Sequence, residues 1–348
     1  MIVEGKAKIV TDGVFYNPRM KFCRDLDMLV FSEIRANEYL DALAATGIRG
    51  IRAVLEAEYN AVFNDINPRA VEVIKRNLEI NGIEAEVHNR EASSLMKEVR
   101  FEHIDLDPFG SPSEFVDAAC HSAKKYLSVT ATDTAALCGS ATVSGLRKYS
   151  AYAIKTEVYP EIGLRMLIGK IAREATKYEK VVEVAVSWAR EHYYRVHVKL
   201  RKSTSQSGKI YGKIGYIFYC KDCLSRKVVP MDGSCYEMCE CGSKYTMLGP
   251  LWLGELKNQE IVEKIWKKSE RKEKRFLERI VEECDAPYAY NVQEIARRLG
   301  VQTPKVSKVV EKLREVGYKA SKTHFSGLCI KTNAGAEDVK RAILASNT

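Results

Sequence analysis

Asp107-Pro108-Phe109-Gly110, closing the apolar run His103-Ile-Asp-Leu, offers the most specific chemistry in the chain. A carboxylate at the tip of a buried strand can accept a hydrogen bond from an amine. Proline stiffens the loop behind it, and the aromatic face can stack on a flat ring. A nicotinamide enzyme has no need of that trio, whereas methyl transfer to an exocyclic base nitrogen does. The plainer alternative is that Asp107 merely caps the next turn. A second chemical group is the cysteine segment, in which Cys220-Lys-Asp-Cys223 is followed by Cys239-Glu-Cys241, with Cys235 as a spare candidate. Two such pairs can close a tetrahedron of thiolates around zinc in a zinc-ribbon layout, against the alternative of free thiols. Four thiolates leave no open position, so that zinc would be structural.

The elements that must position Asp107 begin with residues 39–69. An apolar run ends in Asp41, a glycine turn follows (Gly47, Gly50), and a helical pattern covers Ile51 to Glu58. A second apolar run closes on Asp65, beside Ile66. In such a strand–turn–helix–strand unit the glycine turn leaves room for a cofactor, and the second-strand carboxylate accepts from ribose hydroxyls. A bare unit without ligand is the alternative. With the Asp107 trio beside it, the cofactor expected is S-adenosylmethionine rather than NAD. Arg35, ahead of the first strand, is a fixed cation expected near the cofactor's carboxylate, or else a surface arginine.

Asn67-Pro68 starts a helix and Asn81-Gly82 stops it. Glu84 to Val87 reads as the third strand, with Glu91 and Ala92 just beyond it. The Asp107 strand is the fourth and Tyr126 to Thr132 the fifth. Two helical patterns span Gly145 to Tyr178, the second holding Glu157, Glu161, Arg165 and Lys170. Val181 to Leu200 reads as a terminal hairpin. The fold expected is α/β, a Rossmann-like class I methyltransferase sheet of seven strands. Near the N-terminus, Phe15 and Tyr16 precede Asn17-Pro18, and core packing is the favoured reading for that aromatic pair.

Ser203 to Gly208 is a polar linker. Glu260 to about Glu283 reads as one basic helix, partly self-bridged by its glutamates. Asn291 to Leu299 and Thr303 to Val316, joined by Gly300-Val-Gln, resemble a helix-turn-helix with Tyr318 to Lys331 as a wing. The expected domains are therefore 1–205 (methyltransferase), 206–250 (zinc-ribbon-like) and 251–348, a basic winged-helix-like α+β domain that binds RNA.

Of the 348 residues 46% are hydrophobic, enough for ordinary packed cores. No apolar run approaches ~18 residues and no leader pattern opens the chain, so a soluble, non-secreted, cytoplasmic protein without a membrane partner is expected. Ten cysteines in such a compartment argue for metal rather than disulfides. Of the net charge of +9, residues 1–200 carry −1 and residues 201–348 carry +10. A near-neutral front with a basic back suits an enzyme whose second half grips a polyanion.

The chain resembles the archaeal and eukaryal tRNA guanine-26 N2-dimethyltransferases almost end to end. The resemblance rests on Phe15-Tyr-Asn-Pro18, Arg24-Asp25, Asp41-Ala-Leu-Ala-Ala-Thr-Gly-Ile-Arg-Gly50, Asp65-Ile-Asn-Pro68, Asp107-Pro-Phe-Gly110, Lys155-Thr-Glu157, Gly249-Pro-Leu-Trp252, Thr323-His-Phe325 and Ile330-Lys-Thr332. It implies transfer of one or two methyl groups from S-adenosylmethionine to the exocyclic amine of a tRNA guanine. It also implies a catalytic set Asp107, Pro108 and Phe109, and a cofactor set Arg35, Asp41, Gly47, Asp65, Ile66, Glu91 and Ala92. Glu91 stands where the family pattern suggests Asp, and Cys23 where it suggests Asn. No obligate protein partner is implied. The rival is a zinc-containing helix-turn-helix nucleic-acid binder with a ligand-sensing α/β half. Asp107-Pro-Phe-Gly counts against it, because a sensor needs no amine-holding carboxylate.

Overall fold

Short β-branched and aromatic runs alternate with amphipathic stretches through the first two hundred residues, the pattern that builds a sheet with crossover helices. The computed structural model describes residues 1–347. A small ribbon, β1 (Ile2–Glu4) and β2 (Ala7–Ile9), precedes α1 (Lys21–Ile34). Then come β3 (Glu38–Asp41), α2 (Ile48–Ala57), β4 (Asn60–Asn64), α3 (Pro68–Ile80), β5 (Val87–His88) and α4 (Ala92–Glu98). The α/β alternation continues through β6 (His103–Leu106), α5 (Val116–Ser122), β7 (Tyr126–Ala131), α6 (Thr134–Leu137), α7 (Thr142–Tyr149) and α8 (Tyr159–Thr176). A hairpin, β8 (Lys180–Arg190) and β9 (Tyr193–Lys202), closes this half.

These strands form one mixed seven-stranded sheet in the order β5-β4-β3-β6-β7-β9-β8. Five strands run parallel, and the hairpin enters antiparallel on β7. From β3 the chain winds outward to β4 and β5, then returns to the other side of β3 with β6. That reversal makes the carboxyl ends of β3 and β6 a topological switch point, where sheets of this kind open a crevice. Asp41 pairs in register with Asp105, two residues before Asp107, so the strand-end carboxylates share one edge.

Local chemistry sets the helix ends. Asn67 caps α3, its Oδ1 accepting from the Arg69 amide at 3.0 Å, with Pro68 in the first turn. Gly47 enters α2 at φ +76°, a left-handed conformation that costs glycine little. Pro160 fixes the start of α8 at Tyr159, which corrects the expectation that Glu157 is helical. Glu157 instead sits in the turn before it and binds Arg226 at 3.0 Å. The third strand is shorter than expected, Val87–His88 rather than 84–87.

Beyond α9 (Thr204–Ser207), β10 (Ile214–Tyr219), β11 (Arg226–Pro230) and β12 (Thr246–Trp252) make an antiparallel sheet ordered β11-β10-β12. The central core continues into it: Leu248, Leu251 and Trp252 pack in the same apolar cluster as Leu164 and Leu167 of α8. The expected single basic helix is two helices, α10 (Gln259–Lys268) and α11 (Arg271–Glu282), broken at Ser269, whose backbone is extended. The break lets Val262 and Ile265 of one and Leu277 and Ile280 of the other bury in one cluster with Phe22 of α1. Burial, a tertiary demand, overrides the expectation of one unbroken helix. Their charges also differ in kind. Lys264 and Lys268 of α10 pair with Glu33, whereas Arg271, Lys272, Lys274 and Arg275 of α11 are exposed and make no ion pair among the described residues.

The chain ends with β13 (Ala289–Asn291), α12 (Val292–Leu299), α13 (Val306–Glu315), β14 (Ala320–Lys322), β15 (Cys329–Thr332) and α14 (Ala336–Ala345), in which the strands order β13-β15-β14. Among the described residues no helix is long and apolar enough to cross a membrane.

Candidate active site

A cavity of about 760 Å³ opens at the switch point, a size typical of small-molecule and cofactor sites. Asp41, Asp65, Asp107, Pro108 and Phe109 all line it. Phe109 follows Pro108 out of β6 and is 90% exposed, an unusual state for a large ring unless something covers it. Phe15 meets it edge-to-face, centroids 5.5 Å apart, and is itself 58% exposed. This corrects the core reading of Phe15. Tyr16 also lines the cavity and donates to Glu4 at 2.8 Å.

Each carboxylate has a different environment. Asp65 is held by two backbone amides, Ala45 N–H on Oδ2 at 2.8 Å and Asn67 N–H on Oδ1 at 2.9 Å. Each oxygen keeps a second lone pair for another donor. Asp41 accepts from the Gly50 amide at 2.9 Å; burial first, then the charge of Asp105, pushes its carboxyl well above the usual range. Asp107 is paired through Oδ2 with Nη2 of Arg49, while Oδ1 has no hydrogen bond among the described residues. Arg24, another lining residue, is locked by Glu4 at 2.7 and 2.6 Å.

Several expected members stand elsewhere. Arg35 ends α1 before β3 begins, at the amino edge of the sheet, and its Nε reaches only the Ser32 carbonyl at 3.4 Å. The length of β3 separates it from the cavity, so its expected place at the cofactor is corrected. Gly47 is outside the lining, between Thr46 and Ile48, which are in it. A Cβ there would meet Ile74 and Phe63 at 3.4–3.5 Å, and one at Gly50 would strike the Phe63 ring at 2.3 Å. These glycines serve a left-handed turn and close helix–strand packing rather than clearing space for a ligand.

Glu91 caps α4, accepting from the amides of Ser93 at 2.8 Å and Ser94 at 2.7 Å. Burial opposes its charge, but those amides prevail and its carboxyl lies below the usual range. Ala92 is buried in the first turn of α4 and Ile66 is 65% exposed. All three flank the cavity's edge of the sheet without lining it.

What sequence reasoning missed lies behind Asp107. Arg49 lines the cavity and also pairs with Asp27, and Arg195 binds Asp27 and Asp105. Arg49 was visible inside Gly-Ile-Arg-Gly50, but Asp27 and Arg195 stand far apart in the chain and carry no local signal.

Away from the cavity, Cys220, Cys223, Cys239 and Cys241 bring their sulfurs within 4.8 Å of one another. Sγ–Sγ distances are 3.5 Å for Cys220–Cys241 and for Cys223–Cys239. Zinc–sulfur bonds of ~2.3 Å place tetrahedral sulfurs ~3.8 Å apart, so the cluster fits a metal with little adjustment. Cys235 is exposed and outside the group.

The family model described as N2,N2-dimethylguanosine tRNA methyltransferase matches residues 1–344. A tRNA (guanine(26)-N(2))-dimethyltransferase of Archaeoglobus fulgidus is 56% identical over 342 residues, covering 98% of each chain. One of Methanosphaerula palustris is 36% identical over 343 residues, covering 95% of this chain and 92% of that one. A solved structure of Trm1 from Pyrococcus horikoshii with S-adenosyl-L-methionine superposes with a TM-score of 0.90 at 37% identity, covering 98% of this chain and 99% of that one.

Proposed function

The chain belongs to the N2,N2-dimethylguanosine tRNA methyltransferase family, and from that membership we infer that the cavity at the switch point is where its methyl transfer takes place. The activity is that of an S-adenosylmethionine-dependent tRNA (guanine-26-N2)-dimethyltransferase. The sensor-type nucleic-acid binder is set aside, because the match covers the α/β half and the back half together.

The observation that carries the site reading is the state of Asp107: one oxygen tied to Arg49, the other free at the cavity wall, beside two exposed rings. S-adenosylmethionine, when bound, supplies an electrophilic methyl carbon. Asp107 Oδ1 accepts one N–H of the guanine amine, turning the nitrogen toward that carbon and offsetting the positive charge that grows on it. Phe109 and Phe15 take the extruded base on their faces, and Pro108 limits the loop's freedom. Asp65 accepts from the ribose hydroxyls with the lone pairs its two amides leave free. Transfer of labelled methyl to unmodified tRNA, followed by mass spectrometry of the nucleosides, tests the reading; label at any atom other than guanine N2 would defeat it.

Asp65→Ala should weaken S-adenosylmethionine binding by roughly 1.5–3 kcal/mol, the cost of losing bonds to a charged acceptor. Calorimetry measures this, with circular dichroism to confirm that the turn at Ala45 survives. Unchanged affinity in a folded variant would move the ribose contact elsewhere.

The cysteine cluster is read as a structural zinc site in a zinc-ribbon-like segment, supported by its donor set and sulfur spacing. One zinc per chain is expected by elemental analysis, retained in Cys235→Ser and lost in Cys239→Ser. The reverse pattern would exchange the two ligands. The helix pair α12–α13 with the antiparallel pair β14–β15 supports a winged-helix-like reading of the C-terminal part, which with α11 is the tRNA-binding region. A tRNA substrate supports a cytoplasmic location.

A further inference from the structure

Behind Asp107 lies a cluster of charges that touches no substrate on the reading above. Arg49 donates from Nη2 to Asp107, its Nη1 forms an ion pair with Asp27 of α1, and its Nε stands 3.7 Å from Asp105 Oδ2. The other oxygen of Asp27 accepts from Arg195 Nε of β9 at 2.9 Å. Asp105 takes the fork of Arg195 at 2.8 and 2.7 Å, and Arg195 Nη1 also donates to Thr130 Oγ1 at 2.9 Å. Asp27, Asp105 and Arg195 are fully buried and Arg49 nearly so; Arg49 and Asp107 are the members that line the cavity, Asp107 with its side chain 26% exposed.

Four buried charges are a poor source of stability, since desolvation offsets most of their attraction. Their arrangement does something else. A lone arginine against Asp107 would be free to swing and would cancel the negative field that the amine needs. With Asp27 paired to its Nη1 and the Asp105 carboxylate 3.7 Å from its Nε, Arg49 has fewer orientations open to it. Counting charges, three carboxylates against two guanidiniums leave one negative charge, and Asp107 is the member through which it reaches the cavity.

The remaining groups around this cluster leave that balance intact. His197, 3.2 Å from Asp27, is neutral, because burial and then Arg195 hold its imidazole well below the usual range. Burial likewise pushes the Cys23 thiol and the Asp41 carboxyl up, toward their neutral forms. Tyr39, which donates to Asp105 at 3.2 Å, is neutral. Arg24 is matched by Glu4. Asp65, Glu114 and His192 face the cavity from its outer wall, where solvent screens them.

We propose that Asp27, Asp105 and Arg195 are positioning residues for methyl transfer: they hold Arg49 against one oxygen of Asp107 and cancel its charge, so that the other oxygen meets the amine with its negative field intact. The inference rests on the reading of Asp107 given above. In the step it serves, the guanine nitrogen lone pair forms the N–C bond as the C–S bond of the sulfonium breaks. Sulfur keeps the bonding pair, and the departing N–H proton passes to Asp107 Oδ1 and on to solvent.

The test is single-turnover methyl transfer by the full-length protein across pH, at saturating cofactor and unmodified tRNA, for Asp27→Asn, Arg195→Met and Arg195→Lys. Each should slow transfer by at least ~10-fold, the scale on which supporting shells tune a reacting group, with cofactor affinity by calorimetry unchanged. Asp27→Asn removes a negative charge and should move the acid limb of the rate profile to lower pH. Arg195→Met removes a positive one and should move it to higher pH. Arg195→Lys, which keeps the charge but not the fork, should leave the limb in place and restore part of the rate. Limbs that stay put in both charge variants, or that move the same way in both, would overturn the proposal. Should Arg195→Met fail to fold, the isosteric Asp27→Asn decides by the sign of its own shift. Near wild-type turnover in Asp107→Ala would instead remove the reading beneath it, so the two failures are distinguishable.

Discussion

Asp107→Ala should retain tRNA and cofactor binding and lose at least ~100-fold in single-turnover rate, the size seen when one transition-state partner is removed. The guanine N2 lone pair is delocalised into the ring, so the amine is a poor nucleophile until something draws that pair out of the plane. On the proposed reading, Asp107 Oδ1 does this by accepting one N–H. The base must first leave the tRNA stack, at a cost of a few kcal/mol. Holding nitrogen and methyl carbon in line at ~3–3.5 Å then supplies much of the acceleration. The monomethylated amine keeps one N–H for the same oxygen, so one carboxylate can serve both transfers. Ground-state binding is assigned in the proposal to Asp65 and to the tRNA surface, which is why affinity should survive while rate collapses. A folded Asp107→Ala with near wild-type rate would eliminate this role.

The second large effect is expected on α11. Arg190 of the hairpin stacks on Phe22 at 3.8 Å and lies 5.6 Å from Phe276, and Lys272 lies 5.3 Å from the Phe22 ring. That stack joins the first turn of α11 to the β8–β9 turn, whose Glu191 and His192 line the cavity. The α11 cations, without an ion pair among the described residues, thus continue outward from the cavity proposed to receive the base. Reversing three of them together, Lys272→Glu, Lys274→Glu and Arg275→Glu, should weaken tRNA binding by roughly 100-fold at low salt. It should also lower the salt dependence by ~0.7–0.9 for each phosphate no longer neutralised. S-adenosylmethionine affinity should not change. Filter binding at several salt concentrations measures both; an unchanged slope would put the phosphate track on another face.

The parts of this site that were legible in the sequence are those that local patterning writes. Asp41, Asp65 and Asp107 each end a short apolar run, and a parallel sheet brings such ends to one edge. The four cysteines were legible because two close pairs have few other uses. What was not legible depends on partners distant in the chain. Asp27 and Arg195 meet through strands and helices whose order cannot be read from either residue's neighbours. Arg35 was misplaced because a cation ahead of a strand looks close to its motif in sequence, while the strand carries the motif to the opposite edge. The α10–α11 break was hidden because the all-polar stretch from Lys267 to Arg275 holds no proline or glycine to mark it, and the apolar residues on either side stand in helical phase. Phe15 looked like core because nothing local marks a ring that the fold leaves uncovered beside Phe109.

The most direct test of the central claim is methyl incorporation into a tRNA whose guanine 26 is replaced by inosine, which differs only in lacking the exocyclic amine. Binding should be retained and label should be absent from the product, with guanine-26 tRNA labelled alongside. Label at the inosine, or undiminished label elsewhere in that tRNA, would contradict transfer to N2 at this site.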